Sequence, residues 1–189
     1  MAGTVIEKKT FSGGQTFTVV VNDILYEPVQ CIVNAANGGL AHGGGVAAVI
    51  AEAAGSAMMA DCREIISQRG RIPSGHAVVS KPGDLPYRGL IHAVGPKMGE
   101  GDEERKLVQA LREAFNLAEE RRWKSLSFPA VSSGIFLVPA ATCARSYLRA
   151  VNEFFAQNPM SQLREIRLCL FVSPLLDAVR KEWLKTFAN

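Results

Sequence analysis

Apolar positions along this chain recur with two alternating periods, one suited to strands and one to helices. Residues 16–21 form a β-branched run around Phe17 that continues into Asn22-Asp23-Ile24, and residues 30–33 form a shorter apolar run ending at Asn34. Both predict strands. After the glycines at 43–45, residues 46–51 and 58–68 predict helices, with Gly55 and Gly70 as stops. Residues 77–80 and 90–94 predict strands bounded by Pro82, Gly83 and Gly95-Pro96. Leu107, Leu111, Phe115 and Ala118 carry a helical period with charges on the opposite face, the pattern of a surface helix over a sheet. Residues 125–128 then read as a buried strand. A helix presenting Ala144, Tyr147 or Leu148, Val151 and Phe155 follows, then a strand over 165–172 and a last helix with Leu176, Val179, Trp183 and Phe187.

Alternation of this kind predicts a three-layer α/β/α fold, a mixed sheet of about six strands with helices on both faces. At 189 residues the chain suits one domain spanning 1–189. Hydrophobic residues make up 48% and charged residues 21%, the balance of a globular protein with a real core. The longest unbroken apolar stretch, 46–51, is far short of the roughly 18 residues of a membrane span, so no membrane partner is expected. The opening Met1-Ala2-Gly3-Thr4-Val5 lacks the layout of a signal peptide. Cys31, Cys62, Cys143 and Cys169 stand singly, without a CxxC pair, and read as reduced packing thiols of a cytoplasmic or nuclear protein. A net charge of +3 permits an anionic small ligand, and without a basic–aromatic stripe nucleic acid is not an expected partner.

Ligands of such folds bind beyond the strand ends, in the strand-to-helix loops. Two loops stand out. Asn34 to Val46 contains five glycines and opens into a helix, where backbone N–H groups and the helix N-terminus favour a phosphate without a basic side chain. No Gly-Lys-Ser/Thr follows, which argues against a nucleotide triphosphatase. Gly43-x-Gly45-x-x-Ala48 fits the loose dinucleotide fingerprint but begins ten residues after Val33 and leads to a second helix, which argues against a hydride-transferring enzyme. Pro129 to Phe136 is the second loop, with small hydroxyl residues, a glycine and Phe136 to cover a sugar or base. Two facing phosphate loops suggest a diphosphate.

These residues carry a resemblance. Asn22-Asp23-Ile24, Val33-Asn34-Ala35-Ala36-Asn37, His42-Gly43-Gly44-Gly45-Val46-Ala47, Ile91-His92-Ala93-Val94-Gly95-Pro96 and Phe128-Pro129-Ala130-Val131-Ser132-Ser133-Gly134-Ile135-Phe136 stand in the order of the macrodomain family. The chain resembles most the macrodomains of viral polyproteins, of an archaeal ADP-ribose binder and of poly(ADP-ribose) polymerases. The resemblance implies a cleft for ADP-ribose. It places Asp23 on the adenine amine, a group that a carboxylate, having only acceptors, suits, and the Ile24 backbone on a ring nitrogen. Phe171 would pack on adenine, although from its surroundings alone it reads as core. Gly43, Gly44, Gly45 and Val46, with Ser132, Ser133, Gly134, Ile135 and Phe136, would surround the diphosphate, and Asn37 would hold the distal ribose.

One group of macrodomain hydrolases carries an aspartate where this chain has Ala47, so that mechanism does not transfer. The viral-type hydrolases lack it and resemble this chain at Asn37, His42, Gly134 and Phe136, the residues expected to be catalytic through placement. Val172 stands where several relatives have Asp. His92, mid-strand, reads as a hydrogen-bonded core residue, and His76 has no partner the sequence can name. The scattered histidines and cysteines show no metal-ligand spacing, and no cofactor is expected. The resemblance thus implies binding of ADP-ribose and of mono-ADP-ribosylated proteins, with hydrolysis of mono-ADP-ribose from Asp or Glu side chains. A non-catalytic reader and a deacetylase of O-acetyl-ADP-ribose are the alternatives using the same cleft.

Overall fold

The structure, a computed structural model, describes residues 3–187. In chain order the elements are β1 (Thr4–Thr10), β2 (Thr16–Val21), a one-turn 3-10 helix (Ile24–Tyr26), β3 (Cys31–Ala36), α1 (Gly45–Arg69), β4 (His76–Ser80), β5 (Gly89–Val94), α2 (Glu103–Glu120), β6 (Ser125–Phe128), α3 (Ala140–Gln157), β7 (Glu165–Leu170) and α4 (Pro174–Phe187). Seven strands form one mixed sheet in the order β1-β2-β7-β6-β3-β5-β4. The five inner strands run parallel, and the edge strands β1 and β4 are antiparallel to their neighbours.

The inner strands β3 and β5 are buried on both faces, which is why they read as largely apolar runs. Along β3, Cys31 and Val33 face the core formed with α2, α3 and α4, while Ile32 and Ala36 face a second core under α1. Ile91 and Ala93 alternate with Leu90 and Val94 in the same way along β5. Each fully buried Leu, Ile or Phe contributes about 1.5–3 kcal/mol. Phe115 and Phe128 meet at 5.8 Å between ring centroids and bind α2 to the centre of the sheet.

Two details depart from the sequence-based expectation, and a third, at Gly55, meets it. The seventh strand, β1, was not anticipated, because Glu7-Lys8-Lys9 breaks the apolar pattern of a strand that is paired on one side and largely open to solvent. The helices expected on either side of Gly55 together make up α1, and Gly55, with a non-helical φ of +77°, breaks it between them as expected. By length and composition α1 could cross a membrane. The kink and the burial of Ala47, Ile50, Ala51, Ala54, Met58 and Cys62 against the sheet make it a core helix here. Finally, β7 ends at Leu170 rather than at residue 172, so Phe171 and Val172 leave the sheet and are 69% and 82% exposed. The core reading of Phe171 fails for that reason.

Candidate functional site

Four neighbouring parallel strands, β2, β7, β6 and β3, end at the same edge of the sheet. Their exits carry Asp23-Ile24, Phe171, Ser132 to Phe136, and Asn37 to Val46 in turn. Residues more than a hundred positions apart in the chain are thereby ordered along one edge, with the adenine-side candidates at one end and the ribose-side candidates at the other.

The glycine loop starts from β3. Asn37 staples it: Oδ1 accepts from the N–H groups of Gly39 and Ala41 at 3.1 and 3.0 Å, and Nδ2 donates to the Ala41 carbonyl. Both lone pairs of Oδ1 are thus used within the loop, and one Nδ2 hydrogen remains for a ligand. Gly44 caps α1 with an extended backbone, φ −174°, and Gly45 has φ +60°, a conformation that suits glycine. A Cβ on Gly44 would lie 3.0 Å from Ile135 Cδ1, and one on Gly45 3.6 Å from it. The two loops therefore face each other across a narrow gap. Val46 is half-buried and Ala47 is packed into the core beneath α1.

The second loop is held from below. Tyr147, fully buried on α3, donates to the Val131 carbonyl at 2.6 Å, and Val138 N–H bonds back to the Ser132 carbonyl at 3.0 Å. Ser132 has φ +68°, and its hydroxyl is buried beneath Gly95 with no hydrogen-bond partner among the described residues. Ser133 Oγ donates to the Ala130 carbonyl. Of the hydroxyls expected to serve a diphosphate, that of Ser133 thus engages the protein and that of Ser132 is turned into the interior, so Gly134 and Ile135 are the exposed part of the loop. Phe136 is half-buried, with Lys97 Nζ 5.3 Å from its ring centroid, a cation that sequence reasoning did not single out.

His42 lies beneath the glycine loop, with both ring nitrogens turned inward. Nδ1 is 3.3 Å from Asn34 Nδ2, Nε2 is buried without a partner among the described residues, and the ring sits 5.4 Å from that of His92. Burial lowers its pKa. His92 is fully buried, as expected, with Nδ1 3.1 Å from the same Asn34 amide and Nε2 2.8 Å from Ser80 Oγ. Burial, and secondarily His42, push its pKa down to about 3. His76 finds its partner in Glu113 at 2.9 Å.

Folding brings His42, Cys62 and His92 together, with donor atoms within 4.8 Å of one another. Their spacing in the chain gave no sign of this. The lone pairs are committed, however: Asn34 donates to both Nδ1 atoms, which leaves both Nε2 atoms as N–H groups, and burial raises the Cys62 thiol to about 11. In this arrangement the cluster is a packed hydrogen-bonded core. The other cysteines are also free and buried.

Asp23 caps the short helix, with Oδ1 accepting from Leu25 N–H at 2.9 Å, and the half-exposed turn it heads lies beside exposed Tyr26. Behind this turn is a network the sequence did not reveal. Glu27, whose side chain is wholly buried, pairs with Arg167 of β7 at 2.6 Å, and Tyr87 donates to the Ile24 carbonyl at 3.0 Å. The alternation of β7 placed Arg167 on one face, but nothing in the chain marked Glu27 as its partner.

Comparison with known proteins bears on the family and the fold. The profile of the Macro domain family matches residues 33–147. Human protein mono-ADP-ribosyltransferase PARP14 is 40% identical over 180 residues, covering 93% of this chain and 10% of that protein. Another relative, from Thermotoga maritima, is likewise matched over only 28% of its length. An O-acetyl-ADP-ribose deacetylase of Klebsiella pneumoniae is 39% identical over 148 residues, 77% of this chain and 85% of the enzyme. Among solved structures, an Oceanobacillus iheyensis macrodomain with ADP superposes with a TM-score of 0.88 at 29% identity, covering 95% of each chain. With its family profile matched, its sheet superposed and its glycine loop at the start of α1, the chain belongs to the Macro domain family.

Proposed function

We propose that this chain binds ADP-ribose along the carboxyl edge of β2, β7, β6 and β3 and hydrolyses mono-ADP-ribose from Asp and Glu side chains of modified proteins. The observation that carries this reading is the facing of Gly44 and Gly45, at the N-terminus of α1, by Ile135 of the second loop. It forms an uncharged cradle that suits a diphosphate by backbone N–H groups and helix dipole. Asn37, with one amide hydrogen to spare, serves the distal ribose at the β3 end. His42 presents no free nitrogen to the cleft, so activation of water falls to placement and to the substrate's own phosphate rather than to a histidine base. The buried, reduced cysteines suit a cytoplasmic or nuclear setting.

A second reading has its own support: the Klebsiella pneumoniae relative is named an O-acetyl-ADP-ribose deacetylase and matches most of this chain. Both hydrolyses end in ADP-ribose in the same cleft. Incubating the protein with a glutamate-linked, label-bearing ADP-ribosylated protein, and in parallel with O-acetyl-ADP-ribose, separates them. The expected result is label release, slowed about 100-fold by Asn37→Ala, which misplaces the ribose, with a smaller loss of ADP-ribose affinity. Binding without release of label or acetate over hours would make the chain a reader.

A further inference from the structure

The buried charge pair behind the Asp23 turn is not needed to close the sheet. A carboxylate and a guanidinium packed in a core hold a fold no better than apolar side chains of the same volume. What they provide is direction. Glu27 accepts four hydrogen bonds: from Arg167 Nε and Nη2 at 2.6 and 3.2 Å, from Asn22 Nδ2 at 2.7 Å and from Ser127 Oγ at 2.9 Å. Its partners come from the end of β2 and from within β6 and β7, so one carboxylate ties the start of the turn to the two neighbouring strands. Arg167 is itself braced by Glu165 at 3.2 Å.

The turn is held on its other side as well. Tyr87 Oη lies 3.0 Å from the Ile24 carbonyl and 3.2 Å from that of Glu27, and Cys169 Sγ lies 3.2 Å from the Asn22 carbonyl. From Asn22 to Glu27 the turn is thus held by side chains, by the Asp23 cap on Leu25 and by the packing of half-buried Leu25, with Tyr26 at its exposed corner. Asp23 uses Oδ1 to cap Leu25, which leaves Oδ2 for a ligand.

We propose that Glu27 and Arg167, with Tyr87, are positioning residues that set base specificity: they orient the Asn22-Asp23-Ile24 turn so that the Asp23 carboxylate accepts from an exocyclic amine and opposes a carbonyl at the same ring position. The ligand class is a 6-aminopurine diphosphate sugar, selected over its 6-oxo counterpart. The proposal rests on the ADP-ribose reading above.

Calorimetric titration of the intact chain with ADP-ribose and with inosine diphosphate ribose tests it. Wild type prefers ADP-ribose by about tenfold or more, since a mismatched acceptor faces Asp23. In Glu27→Gln the preference collapses toward equality, because ADP-ribose affinity falls while that of the inosine compound stays within about twofold. A role confined to stability would lower both affinities alike and leave their ratio unchanged. Tyr87→Phe keeps the charge pair and removes one hydroxyl, so it shifts the ratio in the same direction even where Glu27→Gln fails to fold. A wild-type ratio in folded Glu27→Gln, or in Tyr87→Phe where Glu27→Gln is unfolded, overturns the proposal. Wild-type protein that binds neither nucleotide overturns the ADP-ribose reading itself, and wild-type protein that binds both equally overturns base selection alone.

Discussion

Gly44 shows how one residue separates fold from ligand. Its φ of −174° is open to any residue, and the nearest atom to an added side chain is the tip of exposed Ile135. Gly44→Glu should therefore leave circular dichroism and melting temperature close to wild type while placing a carboxylate in the proposed diphosphate cradle. ADP-ribose affinity should drop by roughly 100-fold or more, about 3 kcal/mol, by calorimetry. Unaltered affinity would remove the glycine cradle from the argument. His92 makes a different kind of prediction. Unfolded, its imidazole takes a proton near pH 6.5, whereas in the folded chain it does so only near 3. Between those values the unfolded chain binds more protons, so stability is full above about 6.5 and falls as the pH falls. Going from pH 6.5 to 5 should cost about 2 kcal/mol from this group, read by urea denaturation, and the slope should flatten in His92→Gln. A profile equally steep in both proteins would assign the loss to other groups.

Elements add constraints that single residues lack. At Gly55 the backbone of α1 is left-handed, a Cβ there would lie 2.6 Å from Asp84 Oδ2, and the Asp84 N–H bonds the Ala54 carbonyl at 2.8 Å. The loop after β4 thus fills the gap the kink opens, and Gly83 passes so close that a Cβ would strike the Ala54 carbonyl. Gly55→Ala should cost about 1–3 kcal/mol of stability, measured by urea denaturation, because it forces a strained φ and displaces Asp84. A neutral or stabilising effect would show that α1 can straighten at this point. The sequence marked Gly55 as a break but not its kind, since a helix stop and a kink share the same residue and differ only in what packs against it. Strand β2 was legible to the residue because its β-branched, apolar run is buried on both faces. Strand β1 was not, because its charged residues face solvent at an edge.

Across the whole molecule, chelation offers a global check. His42, Cys62 and His92 converge, but Asn34 occupies the lone pair of each Nδ1, which leaves each Nε2 as an N–H with no lone pair for a metal. EDTA should leave ADP-ribose binding and label release unchanged, and a loss restored by a divalent ion would mean that the Asn34 amide turns over to free both imidazoles. The sequence by itself determined the α/β alternation, the two strand-to-helix loops and their family, because periodicity and glycine spacing act over neighbouring residues. Loop chemistry marked Gly44, Gly134 and Phe136, whereas Asp23 and Asn37 were named through the resemblance to the family. Only the tertiary structure decided that Ser132 and His42 turn inward, that Phe171 is exposed, and that Glu27 meets Arg167 across 140 residues. The order of strands in the sheet sets which side chains share a site, and that order comes from the packing of both faces at once, a property no local stretch of the chain contains.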